Sequence, residues 1–433
     1  MGFVLVCIYV AVLLVRPQEW YEPVKGYELV NIVAIPTILV VFVVHSKTRA
    51  GSFFLRSRYS QVMLALFGAV MLSQLSGLRL QGALTAVTEF GKIMVLFYLV
   101  AIQVNTPGRL KVMMWVIIGC AIFLSYHAYL QVQTGHGFGN IPPFGSYDTG
   151  DFRVIGSGIF SDPNDFAMLY IMAVPFVLSL IGAGAAITGK MLLLATLPPM
   201  VYVLYYTKSR GGVIGFCAMF MAYTWLSAKN LLLRVVMVVA VLSAIAAFGP
   251  ARARGAYVEG SASGRVMEWG YGIQMLKQNP LFGFGFMRWP EFSGGMAAHN
   301  SLVNCFAELG LIGYACWFTL CFIVVKSVWQ IARAGNLVDR QTRALANGLF
   351  AALVGYLTAA FFLTRTYNPV LFFLLGMGVG LVRWVESRQP TPTPSPVVGV
   401  SIRDLRLSAI LSMVSIPAIW ILIRTYWKLS GAA

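Results

Sequence analysis

Residues 303–325 read VNCFAELGLIGYACWFTLCFIVV, a run broken by one charged residue, Glu308. A helix that crosses the hydrocarbon core of a bilayer needs about 20 mainly apolar residues, and this stretch exceeds that length. Read the same way, the chain offers further runs near 1–15, 29–45, 60–77, 83–102, 112–133, 166–184, 189–206, 212–228, 231–248, 345–364, 367–382 and 408–425. The whole chain, 433 residues long, is 58% hydrophobic and 11% charged. A soluble domain carries about 25% charged residues, so this chain lacks the charge to cover a water-facing surface. The expectation is an all-α polytopic membrane protein with 12–13 transmembrane helices. Met1 to Val15 has no basic region before it and no small-residue cleavage site after it, which predicts a retained first span.

Sidedness follows from the connections. With 32 Lys and Arg against 15 Asp and Glu, the chain carries +17. In a soluble protein that excess would suggest nucleic acid; in a membrane protein it first predicts basic cytoplasmic loops. The even-numbered connections hold 17 basic and 3 acidic residues, including Lys47, Arg49, Arg56 and Arg58 in one, and Lys326, Arg333, Arg340 and Arg343 in another. The odd-numbered ones hold 14 and 10. The even side is therefore expected to be cytoplasmic, which places the two long connections, 134–165 and 249–302, outside.

Three parts result: membrane helices over 1–248 with the outer loop 134–165, the outer loop 249–302, and membrane helices over 303–433 with a cytoplasmic Pro/Thr-rich connector at 387–407. The six cysteines almost all fall in apolar runs without CxxC spacing, so neither a disulfide framework nor a thiolate metal site is expected. His127 and His136 with Asp148, Asp151, Asp162 and Asp165 are too irregularly spaced for a metal site, and Asp162-Pro163-Asn164-Asp165 reads as a helix start. Glu89 and Lys92, three apart within a span, are placed to pair with each other.

The outer side retains more arginine than positive-inside bias alone would leave there: Arg79, Arg153, Lys208, Arg210, Arg252, Arg254, Arg265, Arg288 and Arg365. Each can snorkel to headgroups; together they suggest a polyanion held at the outer leaflet. In Thr207-Lys208-Ser209-Arg210-Gly211-Gly212, Ser209 is placed to cap the next helix with Arg210 in its first turn. A helix N-terminus plus a guanidinium fork makes a phosphate or diphosphate site, although a tight charged turn with glycines for packing would look the same. In the long outer loop, Gly264-Arg265 opens an amphipathic stretch to about Lys277. Leu281-Phe-Gly-Phe-Gly-Phe286 reads as a membrane-apposed turn. His299 precedes an apolar helix whose cap is Asn300 or Ser301, with Asn304 and Glu308 on one face. There the ring should be neutral and able to accept a proton, or it is a solvated loop residue.

A Ser-Arg-Gly turn, a long outer loop with Gly-Arg, then Asn279-Pro-Leu-Phe-Gly-Phe-Gly285, then His299-Asn-Ser-Leu302 and Glu308-Leu-Gly-Leu-Ile-Gly313 together resemble the O-antigen ligase and polymerase superfamily. Arg16-Pro-Gln-Glu-Trp20 and Asp162-Pro-Asn164 resemble its ligase-like branch. The resemblance implies a GT-C-like fold in the bacterial inner membrane. It also implies a glycosyltransferase that moves a glycan from undecaprenyl diphosphate to a sugar hydroxyl of the lipid A core on the periplasmic face, with no cofactor, metal or nucleic acid. It places essential roles on Arg210, Arg265 and His299, with Asn300 and Glu308 in the surrounding pattern. Lys208 and Ser209 join the substrate-binding set as neighbours of Arg210 in its turn, and Arg153, Arg288 and Arg365 from charge and placement alone. A polymerase or a protein O-oligosaccharyltransferase of the same superfamily would share the donor site, and a transporter or lipid flippase would instead line a path with these arginines. In a cysteine-free background, cysteines placed at 335 and near 395 should label only from the cytoplasm and one at 255 only from outside; labelling of 255 from the cytoplasm would reverse the sidedness.

Overall fold

The computed structural model describes residues 1–46, 57–227, 257–388 and 398–429, with Leu232, Val235 and Val239 between them. Most of the expected span 231–248 lies outside the described residues, as do Lys47, Arg49, Arg56, Arg252 and Arg254. Helices stand at all the other expected span positions: α1 Gly2–Val15, α2 Leu29–Ser46, α3 Arg58–Leu75, α4 Leu80–Gln103, α5 Pro107–Thr134, α6 Pro163–Gly182, the pair α7 Ile187–Ala195 and α8 Leu197–Tyr206, and α9 Arg210–Ser227. After the loop helices α10 Tyr257–Gln278 and α11 Trp289–Ser293 come α12 Ser301–Arg333, α13 Arg340–Ala360, α14 Pro369–Ser387 and α15 Ile402–Leu429. Among the described residues nine spans are long and apolar enough to cross a membrane, with α7 and α8 forming one of them. The protein is an all-α polytopic membrane protein; its one described sheet is the hairpin of β1 Phe144–Ser146 and β2 Asp151–Arg153, paired antiparallel with Phe144 opposite Arg153.

Buried small residues let the central helices approach closely. α13 packs between α6 and α9. A Cβ on Gly215 of α9 would stand 2.9 Å from the Gly355 carbonyl oxygen, and one on Gly355 would stand 3.0 Å from that of Gly215. Helix packing through small residues is what a bilayer favours, because lipid gives no hydrophobic drive between apolar helices. The last helix, α15, docks on α12 through paired hydroxyls, Tyr314 to Ser415 at 2.7 Å and Thr319 to Ser408 at 2.8 Å, and through the Lys326–Asp404 ion pair.

Hydrogen bonds join the odd-numbered connections at one end of the bundle. Ser157 donates to Val15 O at 2.6 Å, Arg153 to Thr207 O at 2.7 Å, Arg79 to Phe284 O at 3.0 Å, and His299 N to the Thr364 hydroxyl at 2.8 Å. Strict alternation of the spans, on which the charge partition depends, agrees with that clustering.

Residues 281–286 differ from the membrane-apposed turn expected of them. α12 breaks at Gly310, with φ 64° and ψ −168°, a backbone region that only glycine occupies without strain. The loop fills the break: Phe284 N donates to Ala307 O and Gly285 N to Glu308 O, each at 2.9 Å, while Leu311 N donates to Pro280 O at 2.8 Å. Groups that a broken helix would leave orphaned in the bilayer are thereby paired. Phe286 is buried against Phe90 and Tyr367. Gly310→Ala should destabilise the protein by about 3 kcal/mol or more, whereas Gly68→Ala, where a Cβ meets nothing within 4 Å, should be neutral or stabilising by up to about 1 kcal/mol. Thermal unfolding in detergent compares them; equal midpoints would mean the break is not required.

Candidate active site

The site is built from four connections that meet at that end. Ser209 caps α9 as its position in the sequence predicts, its hydroxyl accepting from Gly212 N at 3.0 Å and donating to Asn164 Oδ1 at 2.8 Å. Asn164 Oδ1 also accepts from Arg153 Nη2 at 3.0 Å, and Arg153 Nε is bonded to Thr207 O. One amide thus ties the hairpin, the start of α6 and the start of α9 together. Asp162 caps α6, accepting from Asn164 N at 2.8 Å, with Pro163 at the first helical position. Lys208 reaches this junction in a left-handed conformation, φ 48°, which turns the chain sharply between α8 and α9. Arg210 follows as an exposed side chain in the first turn of α9. Gly211 and Gly212 serve helix packing: a Cβ on Gly212 would sit 2.7 Å from that of Ala167.

Arg265 comes from α10. Burial lowers its pKa, and the Arg210 charge lowers it further against the opposing pull of Asp162. Two guanidiniums within electrostatic reach of each other, with one carboxylate nearby, form a surface that an anion would stabilise. One turn further along α10, Glu268 is buried with neither carboxylate oxygen hydrogen-bonded, and burial raises its pKa.

His299 faces the same charges. Burial lowers its pKa first, the cations Arg265 and Arg365 act in the same direction, and Asp162 opposes them. The sequence suggested a helix N-terminus as the cause; burial and neighbouring arginines act to the same end. Its backbone is left-handed, φ 48°, a conformation histidine tolerates better than most residues. The segment is pinned on both sides. Asn300 caps α12, accepting from Leu302 N at 2.9 Å and Val303 N at 3.1 Å. Ser301 donates to Leu363 O at 2.7 Å and accepts from Arg365 N at 2.8 Å.

Three more of the residues expected to bind substrate are, like Arg153, Ser209 and Asn300, engaged by the protein itself. Arg365 is engaged through Nε and Nη2 by the two carboxylate oxygens of Asp165, and through Nη1 by Thr364 O at 2.7 Å. Burial would lower its pKa, but the Asp165 hydrogen bond and charge raise it. Arg288 forks onto Glu291 and stacks 5.1 Å from the Phe284 ring centroid. Glu308 accepts from Met287 N at 3.1 Å and Trp289 N at 2.8 Å, which makes it the anchor of the loop that precedes α11. Lys208 lies 4.0 Å from Asp151 and 5.7 Å from the Phe152 ring centroid. His127 accepts from Phe138 N at 2.9 Å, inside the fold. Glu89 and Lys92 pair at 2.9 Å, as their spacing suggests.

Asn164, Asp162, Asp165 and Thr364 belong to this site without having been assigned a role in it from sequence. Asp162-Pro-Asn-Asp165 was visible as a helix start, but nothing in it showed that the helix would begin beside Ser209. Thr364 carries no local signal.

Residues 195–318 match the family model described as O-antigen ligase. That segment, less than a third of the chain, contains Arg210, Arg265 and His299, and it is over this stretch that the chain is similar to the O-antigen ligase family. No curated protein matches the chain.

Arg365 and Arg210 should separate on stability. Arg365→Met leaves Asp165 as a buried, unpaired carboxylate and should cost about 3 kcal/mol or more, while Asp165→Leu with Arg365→Met should cost less than either change alone. Arg210→Ala, at an exposed side chain, should stay within about 0.5 kcal/mol of the parent. Thermal unfolding of the four variants tests this, and a double variant as unstable as the sum of the singles would dissolve the pair.

Proposed function

We propose that this protein transfers a glycan from undecaprenyl diphosphate to a sugar hydroxyl of the lipid A core, at the periplasmic face of the bacterial inner membrane, without a metal. The observation that carries the reading is the convergence of Arg210, Arg265 and a neutral-leaning His299 within one electrostatic neighbourhood, all within the segment that matches the family. In a single displacement, the acceptor oxygen forms its bond to the anomeric carbon as the bond from that carbon to the diphosphate oxygen breaks. His299 takes the proton from the acceptor hydroxyl. The electron pair leaves with the diphosphate, whose added negative charge falls between Arg210 and Arg265. Attack opposite the leaving group inverts the anomeric centre. Guanidiniums supply the charge that a divalent cation supplies in other phosphate chemistry, and among the described residues no three His, Cys, Asp or Glu side chains are grouped to hold one.

The test is a cell-free assay with purified lipid-linked glycan and lipid A core acceptor. Product joined to the core supports the ligase; lengthened lipid-linked glycan would indicate a polymerase, and movement of donor across liposomes without product a flippase. Arg210→Ala and Arg210→Lys should both lose most activity, because lysine keeps the charge but not the fork that grips two phosphate oxygens. His299→Gln should lower kcat by about 10² to 10⁴ with donor KM little changed, whereas Arg265→Ala should impair both. A base works deprotonated, and the shift at His299 is downward, so the parent's rate should fall on the acid side with a midpoint below the ordinary imidazole value of about 6.5. That limb should vanish in His299→Gln, and chelators should leave the rate unchanged. A variant with near-normal turnover and the same acid limb would exclude the base role.

A further inference from the structure

The Arg16-Pro-Gln-Glu-Trp20 segment has no part in the chemistry above, yet it roofs a polar cleft of about 510 Å³ between α1, α2 and α4. The size lies in the range of about 300–1,000 Å³ that small-ligand sites occupy. Arg16, Gln18, Glu28, Asn31, Glu89 and Lys92 supply its polar lining. Tyr9, Phe286 and Tyr367 supply aromatic surface. Arg16 is held in a left-handed conformation, φ 47°, with Trp20 Nε1 bonded to Val15 O at 3.0 Å to close the turn. Arg16 Nε and Gln18 Oε1 are buried without hydrogen-bond partners, which leaves bonding capacity unmet in the roof.

The depth of the cleft is its most informative property. Lys92 lies twelve residues into α4, roughly 18 Å below the start of the helix at 1.5 Å per residue. An ion pair at that depth is costly against lipid and marks a hydrated cavity. Glu89 and Lys92 are about half exposed and both line the cleft. Its two cations are matched by two carboxylates, so it has no net attraction for a polyanion, unlike the Arg210–Arg265 site. Mixed donors and acceptors beside aromatic faces suit a polyhydroxylated ring, whose hydroxyls each donate and accept while its C–H face packs on a ring.

The cleft also leads to the chemistry. It shares Met287 and Tyr367 with a second cavity of about 360 Å³, which extends to Thr364, the residue whose hydroxyl accepts from His299 N. Met287 itself is left-handed, φ 57°, and its N–H is fixed by Glu308. We propose that the cleft roofed by residues 16–20 binds the saccharide of the acceptor and presents its hydroxyl, past Met287, to His299. This inference rests on the transferase reading for the word acceptor; the saccharide-binding claim stands apart from it.

The test uses the full-length protein in detergent and, as probe, core oligosaccharide released from lipopolysaccharide and freed of lipid. Binding is measured by saturation-transfer NMR and titration, without any transfer step. Glu28→Gln and Gln18→Leu should each weaken binding about tenfold, the cost of one or two lost hydrogen bonds, and Asn31→Trp should block the cleft sterically. In the transfer assay the same variants should raise acceptor KM about tenfold and leave donor KM within about twofold. Unfolding midpoints near the parent's select the variants that count, and Asn31→Trp, at the outer end of α2, provides one if the other two fold poorly. Parent-like oligosaccharide binding in all three, or displacement of the oligosaccharide by inorganic pyrophosphate, would overturn the proposal. A parent that binds oligosaccharide but forms no product would instead count against the transferase reading alone.

Discussion

The break in α12 at Gly310 is the constraint on which the outer end of this protein depends. A spanning helix interrupted in the bilayer exposes carbonyls and N–H groups that lipid cannot satisfy, and each orphan would cost several kcal/mol. Residues 280–285 meet that demand by pairing with Ala307, Glu308, Leu311 and Ile312. The exchange is reciprocal: the loop repairs the helix, and the helix fixes a loop that would otherwise be a glycine-rich strand of little preference. Glu308 extends the same lock to Met287 and Trp289, and from there the chain has few ways to reach His299 other than the one observed.

A second lock acts from the opposite side of the site. Asn164 holds Arg153 and Ser209 together, while Asp165, one residue on, holds Arg365. Adjacent residues at the start of α6 therefore position both the turn that presents Arg210 and the turn that carries Thr364. Because Thr364 receives His299 N, His299 and Arg210, the proposed base and diphosphate ligand, are referenced to one helix terminus. Pinning of this kind supports catalysis by orientation, since a small misplacement of a reacting group costs far more rate than its contact energy suggests.

The helices were legible because their signal is local. Length, apolarity and the Pro and Asp at the start of α6 are read within one segment, and the Ser209 cap was visible for the same reason. What the sequence could not show was which charges would be buried. Arg365 and Arg210 look alike as outer arginines beside a span end. Arg365 is partly buried against Asp165, 200 positions away in the chain, whereas the Arg210 side chain is exposed at a helix terminus. Likewise, alternating Gly and Phe over 281–286 describe a turn equally well against lipid or inside a broken helix. Only the glycine at 310, itself unremarkable in an apolar run, decides between them. Long-range contacts set how deeply each arginine is buried, and such contacts have no sequence period.

The charge distribution of the site gives the arrangement its chemical sense. Arg210 and Arg265 act on each other, and Arg265 and Arg365 act on His299, so adding a proton to the ring would place a further cation among like charges. Asp162 opposes this but is already engaged in capping α6. In the free protein the cluster therefore favours a neutral imidazole and an unfilled demand for negative charge. A diphosphate would meet that demand on binding. Its negative charge would also ease the cost of protonating His299, and would do so most fully as the leaving group gains charge, which is when the base must take up its proton. In the proposed reaction, burial and the charges of Arg265 and Arg365 would hold His299 neutral before the donor arrives, and the donor's own charge would make it a stronger base once the reaction begins.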